Sequence, residues 1–261
     1  MIRSSTVNRV PSLWGWKALQ SNTTGLLLFI AAWFILALFF PPYIIPSPVT
    51  VLGEVPSYLQ PGFAYHLALT LYRVLAGFAC AFLLGTGVGI AAFLARKTQH
   101  INSLMLGLEV IPGTILGIIL LLALGLGNAV PIALAALLTL PVIAINTANA
   151  LNKKDVALEQ YLVSAGGSRR DLIRYLYLPA LVPTLQSNLS IGFGLSFKLV
   201  ILGEFIGAQD GIGYLLNVAR IYFNMKEVFF YLMVVLLVAA LFQAVQSSLF
   251  TLCLPKYFYP E

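Results

Sequence analysis

Long apolar runs alternate with short polar breaks along this chain. The runs cover residues 25–40, about 67–95, 101–124, 129–151, 181–202 and 228–254. Pro41-Pro42 closes the first, which extends toward Ile45. Arg96-Lys97 follows the second, and Gly125-Leu126-Gly127-Asn128 ends the third. Each run can supply the ~20 residues that cross a hydrocarbon layer ~30 Å thick, the first being short. Backbone groups inside lipid find no water, so such spans must be helical. A transmembrane barrel would alternate polar and apolar residues over ~10-residue segments, and runs such as 115–124 lack that alternation. The pattern therefore predicts an all-α membrane protein of about six transmembrane helices.

Composition strengthens this reading. Of 261 residues, 60% are hydrophobic and 9% charged, against roughly 25% charged in soluble domains. The net charge of +6 is gathered in short loops between apolar runs, which argues against a nucleic-acid surface. With the N-terminus inside, the inner segments hold Arg3, Arg9, Lys17, Arg96, Lys97, Lys153, Lys154, Arg169, Arg170, Arg174 and Lys256. The outer segments hold Arg220 and Lys226, with Glu54, Glu204, Asp210 and Glu227. This bias places both termini in the cytoplasm. No small-x-small cleavage site follows the first run, so it reads as a retained span and not as a signal peptide. Cys80 and Cys253 make no metal or redox spacing, and His66 and His100 sit at run edges as interfacial polar residues.

Small residues recur four apart at Gly85 and Gly89, Gly113 and Gly117, and Gly203 and Gly207. Such pairs let helix backbones approach closely in lipid, an expectation placed chiefly on Gly85-Thr86-Gly87-Val88-Gly89. Pro112, Pro131 and Pro141 fall in or beside the third and fourth runs, where proline bends helices and frees carbonyls that often line a cavity.

The longest interior polar stretch is 152–178, NKKDVALEQYLVSAGGSRRDLIRYLYL, followed by Pro179. Asp155 is an N-cap for one short helix, Gly166-Gly167 breaks it, and Ser168 caps a second that carries Arg169, Arg170 and Arg174. Two short helices about a glycine hinge could dock into a partner's groove or lie on the membrane surface. Physics alone leaves both open.

This stretch resembles the EAA loop of ATP-binding-cassette importer permeases. That pattern is Glu-Ala-Ala, then glycine after three residues, then Leu-Pro. Aligned on Gly166, the closing pair falls on Leu178-Pro179, and Ser168-Arg169 matches the Ser-Arg that follows the family's glycine. Gln160, Tyr161 and Leu162 stand at the Glu-Ala-Ala positions, with Glu159 one residue out of register. Further landmarks agree over roughly residues 25–254: Ile45-Pro46-Ser47-Pro48 with Val51, the stretch 70–78 (TLYRVLAGF), Ile111-Pro112, Gly125-Leu126-Gly127, Gly203-Glu204-Phe205 and Gly211-Ile212-Gly213. The set is similar to the nitrate, sulfonate, taurine and bicarbonate branch.

The resemblance implies a type I importer (MetI-like) fold in a bacterial inner membrane. It divides the chain into an N-terminal cytoplasmic segment 1–24, a permease domain 25–254 and a cytoplasmic tail 255–261. It implies a second permease subunit, a separate ATPase docked at the segment near Gln160–Arg170, and a periplasmic or lipid-anchored binding protein. Gln160, Tyr161, Gly166, Gly167, Ser168, Arg169, Leu178 and Pro179 become the ATPase-coupling residues. The substrate would be a small anion or small organic molecule.

The chain has no GxxxxGK[ST] phosphate loop, so it is read as no enzyme, carrying no cofactor, with ATP bound by a partner. Charges within spans merit a functional reading. Lys198 is expected to face a dimer cavity or pair with a carboxylate, Glu109 to partner a backbone group, and Arg73 to anchor at the outer interface. An ion-coupled secondary transporter lacks support because no inverted repeat is visible. A membrane enzyme would need clustered His, Asp or Glu. A non-pathway scaffold subunit remains the other alternative.

Overall fold

The computed structural model describes residues 28–59 and 61–253, with side chains as far as Gln246. The predicted segments 1–24 and 255–261 lie outside the described residues. The described chain forms α1 (Leu28–Phe39), α2 (Pro48–Gly53), α3 (Val55–Tyr58), α4 (Phe63–Leu94), α5 (Thr98–Glu109) and α6 (Gly113–Leu124). Then follow α7 (Ala129–Asn152), α8 (Val156–Ser164), α9 (Arg169–Leu172), a π turn (Ile173–Tyr177), α10 (Leu178–Gly207), α11 (Ile212–Ile221) and α12 (Met225–Cys253). As far as they are described, the six apolar runs are helical. Among the described residues, four segments are long and apolar enough to cross a membrane (α4, α7, α9 through α10, and α12), and α5 with α6 makes a fifth if the bent pair counts as one span. The described part of α1, 12 residues, is about 18 Å long.

The third run is not one straight span. α5 and α6 meet at 82°. Pro112 has no amide hydrogen to donate and sits at φ −59°, ψ 126°, so the helical ladder stops there. Pro131 and Pro141 behave differently: both are buried within α7, which continues through them. Pro131 lies in the first turn, where a missing donor costs little. The expectation that these two prolines open onto a cavity is replaced by one in which they pack.

α4, α7 and α10 form the centre. Val74, Phe78, Ala81, Leu134, Ile143, Phe193, Phe197 and Val200 are buried together there. α4 approaches α7 along a stripe of Gly77, Ala81, Gly85 and Gly89. A Cβ on Gly85 would lie 2.8 Å from the Leu140 carbonyl oxygen, and one on Gly89 2.6 Å from that of Ala144. The two backbones are therefore as close as side chains permit. Polar groups fasten α7 to α10: Asn188 donates to Thr147 at 3.2 Å and accepts from Asn146 at 2.9 Å, and Thr139 and Ser196 hydroxyls lie 3.0 Å apart. Such bonds between helices in lipid contribute about 0.6 kcal/mol each. Leu83, Leu84, Ile115, Ile118, Ile119 and Leu122 point outward, as a lipid-facing rim requires.

A second cluster closes the opposite end from α8. Val51, Ile212, Ala219, Phe230 and Tyr231 are buried together, the Trp33 ring stacks on Phe229, and Trp33 Nε1 donates to the Pro46 carbonyl at 2.9 Å. Here α11 occupies what reads in sequence as a mixed segment between the fifth and sixth runs.

Candidate functional site

The segment after α7 is built by caps, each local in sequence. The Asp155 carboxylate accepts from the Ala157 and Leu158 amides at 2.9 and 3.1 Å, which starts α8. α8 ends where Gly167 N–H reaches the Leu162 carbonyl at 2.8 Å and Gly166 N–H reaches that of Val163 at 3.1 Å. This is a Schellman closure. It puts Gly166 at φ +77°, where a side chain is strained, and leaves 2.7 Å between a Cβ on Gly167 and the Leu162 oxygen. Ser168 then starts α9 with a complete capping box: Asp171 N–H donates to Ser168 Oγ, and Asp171 Oδ2 accepts from Ser168 N–H at 2.8 Å.

One expectation changes here. The second helix is not a separate short one. Arg169 to Gly207 runs as a single helical rod of 39 residues, about 58 Å long. The π turn precedes Pro179, which has no amide hydrogen, and Leu178 N–H bonds back to Ile173 instead. The wider turn lets the helix pass the proline. Leu178 and Pro179 thus belong to the start of a span, while Gln160, Tyr161, Gly166, Gly167, Ser168 and Arg169 form the projecting knuckle. α8 exposes Val156, Tyr161 and Val163, and Gln160, Arg169 and Arg170 beside them are exposed too. Exposed apolar area edged by cations is a surface made for a partner.

The far end of the rod holds a charge cluster that spacing could not assemble. The Arg73 guanidinium, wholly buried, donates to Glu204 Oε1 at 2.8 Å, to the Asp210 backbone carbonyl at 2.8 Å and to Asn128 Oδ1 at 2.6 and 2.9 Å, and it pairs with the Asp210 carboxylate. Glu204, also buried, accepts from Thr70 Oγ1 and from Gly213 N–H at 2.9 Å. Ile212 N–H donates to Thr70 Oγ1 at 2.8 Å, and Gly211 N–H to His66 Nδ1 at 2.9 Å. Four elements meet on one guanidinium. The expectation of Arg73 as an outer-interface anchor is corrected: its depth is near the span end, but its head group is sealed inside protein. A charge taken out of lipid and water together must be paired and hydrogen-bonded, and this one is. His66 likewise is a hydrogen-bond acceptor inside the cluster, not only an interfacial residue.

Lys198 and Glu109 are not drawn into either assembly. Both are exposed on the single chain, and neither has an ion-pair partner among the described residues. Lys198 continues an open face of α10 formed by Pro183, Ser187 and Ile191.

The family described as binding-protein-dependent transport system inner membrane component matches residues 81–257. The formylaminopyrimidine transport permease ThiX of Halalkalibacterium halodurans is 27% identical over 66% of this chain and 70% of its own. The riboflavin transport permease RibX of Chloroflexus aurantiacus is 29% identical over 73% and 72%. The taurine transport permease TauC of Escherichia coli is 24% identical over 79% of each. In fold, the chain is similar to an inward-facing crystal form of the MetNI methionine transporter, at TM-score 0.62 and 20% identity, covering 71% of this chain and 93% of that one. The chain belongs to the binding-protein-dependent transport system inner membrane component family, as a permease subunit of an ATP-binding-cassette importer whose ATPase is a separate protein.

Proposed function

We propose that this chain, with a second permease subunit, forms the membrane pathway of a small-solute importer and is driven through α8. The carrying observation is the knuckle itself: a capped helix held away from the spans, with Tyr161 68% and Val163 58% exposed. Its basic rim suits a groove with acidic edges on an ATPase subunit. In this reading residues 152–178 and both termini are cytoplasmic, the Arg73 cluster lies on the periplasmic side, and a binding protein delivers solute there. The relatives are named for small polar organic solutes, which supports a small anion or small organic molecule.

Isolating the detergent-solubilised protein from its native membrane tests the docking. An ATPase subunit should accompany the wild type and be lost on Tyr161→Glu, an exposed change, and on Gly166→Trp with Arg169→Glu, which also breaks the Schellman closure. Retention of the ATPase by all variants would refute docking through α8.

Lys198 and Glu109 are the proposed pathway charges. An ammonium left facing hydrocarbon costs about 3 kcal/mol or more, so an exposed Lys198 is better served by water. Gln186, Ser187, Ser190, Gln243 and Gln246 line a polar cleft of about 300 Å³ between α10 and α12, which further supports wetted surface among the spans. In a background with Cys80 and Cys253 changed to serine, Lys198→Cys should react with a charged, membrane-impermeant thiol reagent. An inert Lys198→Cys would remove it from the aqueous path.

A further inference from the structure

Glu159 lies beside the positions that a docking glutamate would occupy, yet its carboxylate turns toward its own chain. Lys154 Nζ lies 2.6 Å from Glu159 Oε1, with the two side chains only 17% and 26% exposed. The Tyr177 hydroxyl donates to the same oxygen at 3.2 Å. The Lys154 ammonium also sits 5.2 Å from the centroids of both the Phe93 and Tyr177 rings. Those rings meet edge to face at 5.6 Å. Phe93 belongs to the inner end of α4, Lys154 to the turn after α7, Glu159 to α8 and Tyr177 to the π turn leading into α10. None of the α8 residues is fully buried, and only Leu158, Glu159 and Leu162 are half-buried.

We infer that Lys154 and Glu159 are positioning residues, forming a clasp that locks the projecting helix to the inner ends of α4 and α10 so that a displacement of α8 moves both spans together. The inference rests on the reading of α8 as the driven element. A helix attached only through its two chain ends would swivel about Gly166 and the 153–155 turn, and a push on it would dissipate locally. The clasp adds a third attachment point, and three points fix an orientation. Its chemistry suits the place: an ion pair partly shielded from water and flanked by two aromatic faces is attracted more strongly than an exposed pair. Glu159 therefore turns its charge inward, which leaves Gln160, Tyr161, Val163 and the arginine rim for docking.

The test uses the full permease with whichever ATPase subunit accompanies it, in nanodiscs, with Cys80 and Cys253 replaced by serine. Spin labels at Ser164→Cys on α8 and Leu84→Cys on the outward side of α4 report their separation. The wild type should give one narrow distance distribution. Glu159→Gln and Lys154→Met should each widen it about two-fold and speed amide exchange in α8 about five-fold, the scale of a lost, partly shielded ion pair. Lys154→Arg should keep the narrow distribution, and the exchange Lys154→Glu with Glu159→Lys should recover it. ATPase retention, read on the unlabelled proteins without Ser164→Cys, should persist in all of these, because Lys154 and Glu159 lie outside the docking residues. Wild-type width and exchange in Glu159→Gln and Lys154→Met would overturn the clasp while leaving docking intact. Failure of the wild type to hold an ATPase would refute the docking reading instead, and the label widths would still judge the clasp.

Discussion

Removing the positive end of a buried ion pair strands its carboxylates, which makes Arg73→Met the most informative single change in the Arg73 cluster. Glu204 would keep its Thr70 and Gly213 donors but lose its counter-charge inside protein. Breaking one side of such a pair costs about 3–5 kcal/mol. The unfolding midpoint of the detergent-solubilised protein should fall by about 10 °C on the scale of domains this size. Arg73→Met with Glu204→Met should recover part of the loss, since Asp210 is 30% exposed and can turn to water. An Arg73→Met protein that melts with the wild type would deny the cluster a structural role. The sequence places Arg73, Glu204 and Asp210 at one depth, but not in one bond network. Their partners lie 131 and 137 residues apart, and no local spacing links positions that far apart.

At the scale of the element, legibility follows the range of the interactions. The caps at Asp155, Gly166-Gly167 and Ser168 act within five residues, and sequence alone predicts all of them. The break at Pro112 and the close approach at Gly85 and Gly89 are visible in kind, but the 82° bend is set by what α5 and α6 pack against. α11 is missed because ten residues within a mixed polar stretch give too short a period. Two outcomes test this level. Gly85→Val places methyls where the Leu140 carbonyl and Ile143 already stand. Overpacking should destabilise by about 1–3 kcal/mol, read as a lowered melting midpoint, whereas Gly87→Val, with open space around it, should not. The second concerns pH. The Lys154 hydrogen bond, outweighing desolvation, holds the Glu159 carboxyl below its ordinary value of 4.5. Tyr177 faces the same oxygen, and Arg96 and His100 line the same cleft. A depressed carboxylate contributes stability that is full above its ordinary value and lost as pH falls through the lowered one. Amide exchange in α8, corrected for its intrinsic rate, should therefore stay flat from neutral pH down to the ordinary value of 4.5 and rise below it. A rise beginning near pH 6 would mean that another group holds α8.

Across the whole molecule, one helical rod joins the knuckle to the Arg73 cluster. Its N-terminal end begins at the Ser168 cap, and its C-terminal end carries Glu204, bonded to Arg73, Thr70 and Gly213. The sequence divides this rod into a loop helix and a fifth span because Leu178-Pro179 looks like a boundary. The π turn removes that boundary by shifting the hydrogen bonds one residue along, a solution set by backbone geometry that residue type alone does not signal. A rod fixed at one end and pushed at the other must either bend at its weak points, the π turn and Pro183, or pivot as a unit about the fixed end. Pivoting is favoured here. Leu176 inside the π turn is buried, so a bend there would unpack it, whereas Asn188, Ser196 and the buried face of Phe193, Phe197 and Val200 lie beyond both weak points and carry α7 along with the rod. Spin labels at Ile173→Cys, exposed at the start of the π turn, and Ala208→Cys should therefore give a single distance of about 52 Å, unchanged between nucleotide-free and ATP-bound assemblies. Over the same change, a label pair between Ile173→Cys in the two permease subunits should shift. A second, shorter distance within the rod when ATP is added would place a hinge at the π turn and end the rigid-lever account.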